Sequence, residues 1–390
     1  MSERKQKVLV VHNYYQIPGG EDTVVSNEKK LLEDHGHEVM LYTRHNSELK
    51  TLSKVQKLLL PISTIFNFQT YKEVKKIIRE EKIDIVHVHN TLNLISPSIY
   101  YAALSCRVPV VQTIHNFRVL CPGATFYRDG HVCEDCVNKG LICAVQHRCY
   151  RESILQTVAC VCSNWFHRFL GTYGKLNYIC LTEFNKEKLL SLKQIKRENV
   201  YVKPNFVESP NENEINESRK NQIVYAGRLD KLKGVDFMLQ AWSEMKESDL
   251  KLIICGIGPL EEWCKEYITS HQINNVEMKG FVNNKEVKRL LSESKAMILP
   301  TQWYEGFPMT ILEAFSVGTP VLGSAIGNVG DLIKEHVNGS CFSPVDKNEL
   351  LHAVNHLDVS YKNVFEYYQK YYSAESNYEA LLDIYNKISN

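Results

Sequence analysis

No stretch of this chain is apolar for long enough to cross a bilayer. The longest run, Ile154 to Phe166, is interrupted by Gln156, Ser163 and Asn164, and falls short of the roughly 20 residues a spanning helix needs. No leader is expected either. Met1 to Lys7 is polar and runs straight into Val8-Leu9-Val10-Val11, too short an apolar core for a signal peptide. The expectation is a cytoplasmic protein. Neither sign of charge is in excess, with 46 Lys and Arg against 45 Asp and Glu, so the whole surface is not built for a nucleic acid. What is there is an ordinary globular balance, 44% hydrophobic and 23% charged over 390 residues, which suits two domains of roughly 100 to 200 residues each.

Short β-branched runs alternate with helical patterns. Lys7 to Val11, Glu38 to Thr43, Ile83 to His87 and Val108 to Ile114 predict buried strands, with helices over Val24 to Glu33, Tyr71 to Glu80 and Ser98 to Leu104. That is a doubly wound parallel α/β domain over 1–203, closed by a strand at Val200 to Lys203. An Asn-, Glu- and Ser-rich linker fills 204–220. The alternation restarts at Gln222 to Ala226 and runs through Lys251 to Cys255, Asn275 to Lys279, Lys295 to Leu299 and Pro320 to Leu322, giving a second α/β domain over 221–363. The remaining 364–390 predicts helices packing across both domains. Ligands of open parallel sheets bind beyond the carboxyl ends of the strands, so the expected site is a cleft between two facing sheets.

Three segments sit at such strand ends. Gly227-Arg228-Leu229-Asp230-Lys231-Leu232-Lys233-Gly234 joins a strand to a helix and offers two cations beside a glycine that permits close approach, which suits a diphosphate; a basic surface turn fits it equally. Trp303-Tyr304-Glu305-Gly306-Phe307-Pro308-Met309-Thr310-Ile311-Leu312-Glu313 follows a strand and opens a helix. The backbone amides of Gly306 to Thr310, Pro308 apart, are expected to face a phosphate. Glu305 then lies in the loop, with Glu313 about two turns into the helix, unless the pair only caps and solvates it. Pro18-Gly19-Gly20-Glu21-Asp22 is a third strand-to-helix turn. His115 ends the Val110 to Ile114 strand, as His12 and His89 end theirs; such histidines are more often structural.

Taken together, Gly-Arg-Leu-x-x-x-Lys-Gly at 227–234 and Glu-Gly-Phe-Pro-x-x-x-x-Glu at 305–313 resemble family 4 of the retaining glycosyltransferases, which have the GT-B fold. The resemblance runs from Gly19-Gly20 through Gly318-Thr319-Pro320-Val321 to Asn338-Gly339. It implies a nucleotide-diphosphate sugar donor, UDP- or GDP-linked, and no catalytic metal. Arg228 and Lys233 would bind the diphosphate, Glu305 the sugar hydroxyls and Glu313 the ribose. Gly306, Phe307, Pro308, Met309 and Thr310 would frame the pocket with Gly19, Gly20, Gly227 and Gly256, and His115 would lie near the transferring sugar. Alternatives are a phosphorylase of the same fold and a non-catalytic sugar-nucleotide binder.

Five of the twelve cysteines, Cys121, Cys133, Cys136, Cys143 and Cys149, crowd into 121–149. In a reducing compartment this suggests a structural zinc held by Cys121, Cys133, Cys136 and Cys149, with Cys143 able to replace one; reduced core cysteines or an iron–sulfur cluster are the alternatives. Similar inserts occur in the branch of the family acting in bacterial surface polysaccharide and capsule synthesis, which implies a glycan or lipid-linked acceptor. Lys50 to Lys82 carries eight basic against three acidic residues among Leu58, Leu59, Leu60, Ile62, Ile65, Phe66 and Phe68. This is either a peripheral membrane contact or a solvated amphipathic helix pair.

Overall fold

The computed structural model describes residues 5–16, 19–208 and 218–389. Pro18 of the first glycine turn and 209–217 of the 204–220 linker lie outside the described residues. The chain divides into two compact units. One comprises Met1–Arg128, Cys133–Pro204 and Tyr378–Asn390, and the other Asp129–Val132 and Asn205–Asn377.

The first unit is built on six parallel strands, β1 (Lys7–Tyr14), β2 (Glu38–His45), β3 (Ile85–Asn90), β4 (Val110–Ile114), β5 (Asn177–Cys180) and β6 (Val200–Val202), in the order β2-β1-β3-β4-β5-β6. β3 and β4 are buried at every position, as parallel strands covered on both faces must be. The edge strand β2 leaves Glu38, Leu41 and Thr43 in water and buries only Tyr42. Helix α1 (Gly20–Asp34) follows β1, with Gly19 as N-cap in extended backbone and its amide donating to Asp22 Oδ2 at 2.9 Å. Helices α2 (Lys54–Ile65) and α3 (Ile154–Phe169) lie against each other.

The second unit repeats the plan with β7 (Lys220–Ala226), β8 (Lys251–Cys255), β9 (Val276–Gly280), β10 (Ser294–Leu299), β11 (Val321–Ser324) and β12 (Gly339–Phe342), in the order β9-β8-β7-β10-β11-β12. Its core has two layers, one around Met238, Leu239 and the fully buried Trp242, the other around Ile311, Phe315 and Tyr368. In each sheet the connections leave in opposite directions at one point, β1/β3 in the first and β7/β10 in the second. A crevice opens there beyond the strand carboxyl ends.

β5 and β12, four residues each, have no counterpart in the sequence expectation, because runs this short show no periodicity. The last segment divides between the units. α5 (Tyr361–Tyr372) packs through Val364, Phe365 and Tyr368 into the second unit. α6 (Ala374–Ser389) brings Tyr378 and Tyr385 to the first, where their hydroxyls meet His37 Nε2 at 2.9 Å and His87 Nδ1 at 2.8 Å. No helix among the described residues is long and apolar enough to cross a membrane.

Candidate functional site

In the second unit the two motifs meet at the β7/β10 crevice. β7 delivers Gly227, and β8 delivers Gly256 at φ +145, where a Cβ would stand 1.9 Å from the Gly227 carbonyl oxygen. Only glycine allows the two strand ends to close this tightly. The 227–234 loop is shaped from within. Asp230 Oδ1 accepts from the Lys233 amide at 2.9 Å, and Asp230 Oδ2 pairs with Arg228, whose side chain is 65% exposed. Gly234, at φ +68, turns the chain into the next helix under the Pro300 carbonyl.

Lys233 Nζ donates to Glu305 Oε1 at 2.7 Å, and Thr301 Oγ1 donates to the same oxygen at 3.0 Å. Glu305 is buried, and its loop is held by Asn328, whose Nδ2 donates to the carbonyls of Glu305 and Gly306 at 2.6 Å each. The helix after this loop, α4′ (Met309–Phe315), begins only after Pro308. Glu313 is therefore its fifth residue, about one turn in rather than two. The expectation failed because proline holds the residue before it in extended backbone, so Phe307 cannot open a helix. Gly306 and Phe307 are loop residues, and only Met309 and Thr310 of the expected amides lie in the first turn. Glu313 Oε1 accepts from Asn284 Nδ2 at 3.0 Å, and burial raises its pKa above the ordinary carboxylate value.

The first unit places its polar groups differently. His12 is fully buried and bonds Asp22 Oδ1 at 2.7 Å, so it is a structural partner of the α1 start and is not presented at a crevice. Gly19 has nothing within 4 Å of where a Cβ would be, and neither Gly19 nor Gly20 has positive φ. The Gly19 backbone leaves room without requiring glycine.

His89 is also buried, and its Nδ1 bonds Nε2 of the half-buried His115 at 2.9 Å. Glu28, in an ion pair with the buried Lys203, has Oε2 3.3 Å from His89 Nε2. Burial alone would raise the Glu28 pKa, but Lys203 and then His87 bring it below the ordinary value. A carboxylate there favours the proton on His89 Nε2. His89 Nδ1 then accepts from His115 Nε2, and Nδ1 of His115 is left as an acceptor. Burial pushes His115 down to about 3 and His87 to about 4, so both are neutral. His89 and His115 line a small cavity open to solvent, with Asn116 and Arg118 on its wall.

Among the described residues, the group of three His, Cys, Asp or Glu side chains whose donor atoms all lie within 4.8 Å of one another is Glu28, His87 and His89. Part of it is already engaged: Lys203 sits on Glu28, and the His87 nitrogens meet Tyr385 and Thr113 hydroxyls, while Glu28 Oε2 and His89 Nε2 face each other at 3.3 Å. In the cysteine insert, Cys121 and Cys136 are in thiol contact. That contact and the amides of Phe126, Gly123 and Ala124 outweigh burial and bring the Cys121 thiol down to about 6. Cys149 Cβ and Cys121 Sγ both flank Gly123. Cys133 is bonded to Asp135, and no three insert thiols close to within 4.8 Å of one another.

Two family models match the chain, one described as Glycosyltransferase Family 4 over residues 18–209 and one as Glycosyl transferases group 1 over residues 207–363. An uncharacterized glycosyltransferase of Methanocaldococcus jannaschii is 25% identical over 296 residues, which are 70% of this chain and 66% of that one. WcaL, a putative colanic acid biosynthesis glycosyltransferase of Escherichia coli, is 28% identical over 156 residues, 34% of this chain and 38% of its own. Among solved structures, Anabaena HepE in complex with UDP and glucose superposes with a TM-score of 0.62 at 16% identity, covering 98% of this chain and 100% of that one. At that identity the likeness speaks for the fold.

Proposed function

This chain belongs to the glycosyltransferases of GT-B fold, and from that premise we propose that it carries a sugar from a UDP- or GDP-sugar to a hydroxyl of a lipid-linked or polysaccharide intermediate, with retention at the anomeric carbon. The observation that carries this reading is the Lys233–Glu305 pair, 2.7 Å apart at a glycine-lined strand end. An ammonium has three protons, and Lys233 gives one to Glu305, which leaves two for a phosphate. Both bonds to the Glu305 carboxylate fall on Oε1, so Oε2 is the atom offered to a sugar hydroxyl. Glu313 takes the ribose, and the exposed Arg228 swings from Asp230 onto the diphosphate.

Transfer in this reading needs no catalytic metal. The departing phosphate oxygen accepts the proton of the attacking hydroxyl on the same face of the sugar. Arg228 and Lys233 stabilise the charge that grows on that phosphate, so they act on the transition state more than on binding. His115 supplies a hydrogen-bond acceptor through Nδ1. The cysteine insert holds a structural zinc through Cys121, Cys133, Cys136 and Cys149. Three amides on one thiol, with a second thiol in contact, suit a thiolate ligand set, and Cys133 joins by turning from Asp135. The same reading puts the enzyme at the inner face of a membrane, where a lipid-linked acceptor is held, in capsule or related surface-glycan synthesis.

The test is incubation of the full chain with UDP- and GDP-sugars and candidate acceptors, following acceptor-dependent release of nucleoside diphosphate and the anomeric coupling of the product by NMR. An inverted product, or transfer abolished by a chelator that leaves the insert folded, contradicts the mechanism. Elemental analysis of reduced protein should find one zinc per chain, lost from a Cys121→Ser, Cys136→Ser double variant.

A further inference from the structure

Two helices of the first unit are inside out. In α3 the residues turned inward are mostly polar, with Thr157, Ser163, Asn164 and His167 buried beside Cys160. Leu155 is 81% exposed, Trp165 59% and Phe169 74%, and Val158 and Cys162 are exposed with them. These five recur at intervals of three, four, three and four, a single stripe along one helical face. α2 does the same. Its one buried residue is Thr64, while Val55, Leu58, Leu59 and Ile62 are exposed, Leu58 by 78%. The polar sides hold the two helices together, through Ser163 Oγ to the Thr64 carbonyl at 3.4 Å and His167 Nε2 to the Ile65 carbonyl at 2.9 Å. Their apolar sides are left exposed, and apolar stripes of this kind are what a soluble surface avoids unless something covers them.

Charge says what covers it. Neither helix carries a carboxylate, and Lys54, Lys57, Arg148 and Arg151 are exposed on or just before them, against the lone carboxylate of Glu152. A second copy would set these cations against their own kind. An apolar face rimmed by cations matches a bilayer with anionic headgroups. Between the helices runs an open groove with Lys57 and Arg151 on its walls. It shares Thr64 and Cys160 with the cavity that ends at His115.

We propose that the α2–α3 face docks on an anionic membrane, its apolar stripes entering the headgroup boundary and the groove taking a lipid phosphate between Lys57 and Arg151. This rests on the reading of the protein as a transferase with a lipid-linked acceptor only for its purpose. A lipid so held would stand at the mouth of the His115 cavity.

The experiment is flotation of the full chain with vesicles of phosphatidylcholine alone or mixed with phosphatidylglycerol. Binding is expected to the mixed vesicles and to weaken as salt rises. Trp165→Asp should abolish it. The Lys57→Gln, Arg151→Gln pair, exposed and safe for folding, should weaken it by about fivefold per charge, roughly 25-fold together. Calorimetry with UDP or GDP should be unchanged in every variant. Absent binding to mixed vesicles, equal binding by the charge-pair variant, or a wild-type dimer that Trp165→Asp dissociates would overturn the proposal. A protein that binds vesicles yet releases no nucleoside diphosphate from any donor would instead overturn the transferase reading and leave this surface standing.

Discussion

The two units share a sheet plan but use their strand ends in opposite ways. In the second, Arg228, Lys233, Glu305 and Glu313 come from two short contiguous segments, 227–234 and 305–313, and glycine clears the ground between them. Arg228 is largely exposed, and Lys233 keeps donors to spare. In the first, Glu28, His87, His89, Lys203 and Tyr385 come from four separate places in the chain, the two histidines sharing β3, and are buried against one another. One unit keeps its charge ready for a ligand, and the other uses it to hold its interior. Preorganised charge at a strand end can serve catalysis only where it is not already committed to the fold.

That contrast can be broken most forcefully at Glu28. Glu28→Ala leaves Lys203 buried without its carboxylate and should destabilise the first unit by about 3 to 5 kcal/mol, seen as an early transition in urea while the second unit's transition stays put. A single unchanged transition would mean that the network is not what holds the first unit. In the second unit the opposite is expected. Lys233→Ala should leave the melting curve nearly unchanged but lower turnover by roughly a hundred- to a thousandfold, as for one lost preorganised donor. Wild-type rates would remove Lys233 from the site.

Acid should separate the units next. In the unfolded chain, histidine takes up a proton below its ordinary value of 6.5, whereas buried His87 and half-buried His115 do so only near 4 and 3. The unfolded state therefore binds more protons across that window, and first-unit stability falls as pH drops from 6.5 towards 4. The loss should be about 1.4 kcal/mol per pH unit for each histidine that must charge, and scanning calorimetry across the window checks it. The smallest effect divides the two acidic residues. Glu313→Gln should weaken binding of the free nucleoside diphosphate about tenfold, or ~1.4 kcal/mol. Glu305→Gln should leave that binding alone and impair use of the intact donor. Equal losses by calorimetry would merge the two roles.

The sequence was most legible where chemistry is local. Gly227 to Gly234 and Glu305 to Glu313 announce themselves because strand, loop and helix follow one another without interruption. Thr301 and Asn328, which hold Glu305, carry no such signal, since Asn328 reaches it from 23 residues away. His12, His89 and His115 looked equivalent as strand ends. Only the topology, which sets α1 and its Glu28 beside β3, separates a buried His12 from a His115 that lines a cavity. The run from Ile154 to Phe166 was informative as something too short to span a membrane. Its inside-out arrangement could not be read until the partner of its polar face, α2, was in place.

The return of α6 to the first unit also bears on the order in which the protein is made. His87 leaves the ribosome early, but its hydroxyl partner Tyr385 lies 298 residues later. Between Lys203 and Tyr385 the whole second unit is translated, which at about 5 to 20 residues per second takes roughly ten to forty seconds. For that interval the nascent first unit has a histidine and a sheet face waiting for their cover, while the second unit has all it needs to close. The half encoded first is thus finished last, and a chaperone that engages this chain during synthesis should be found on the first unit.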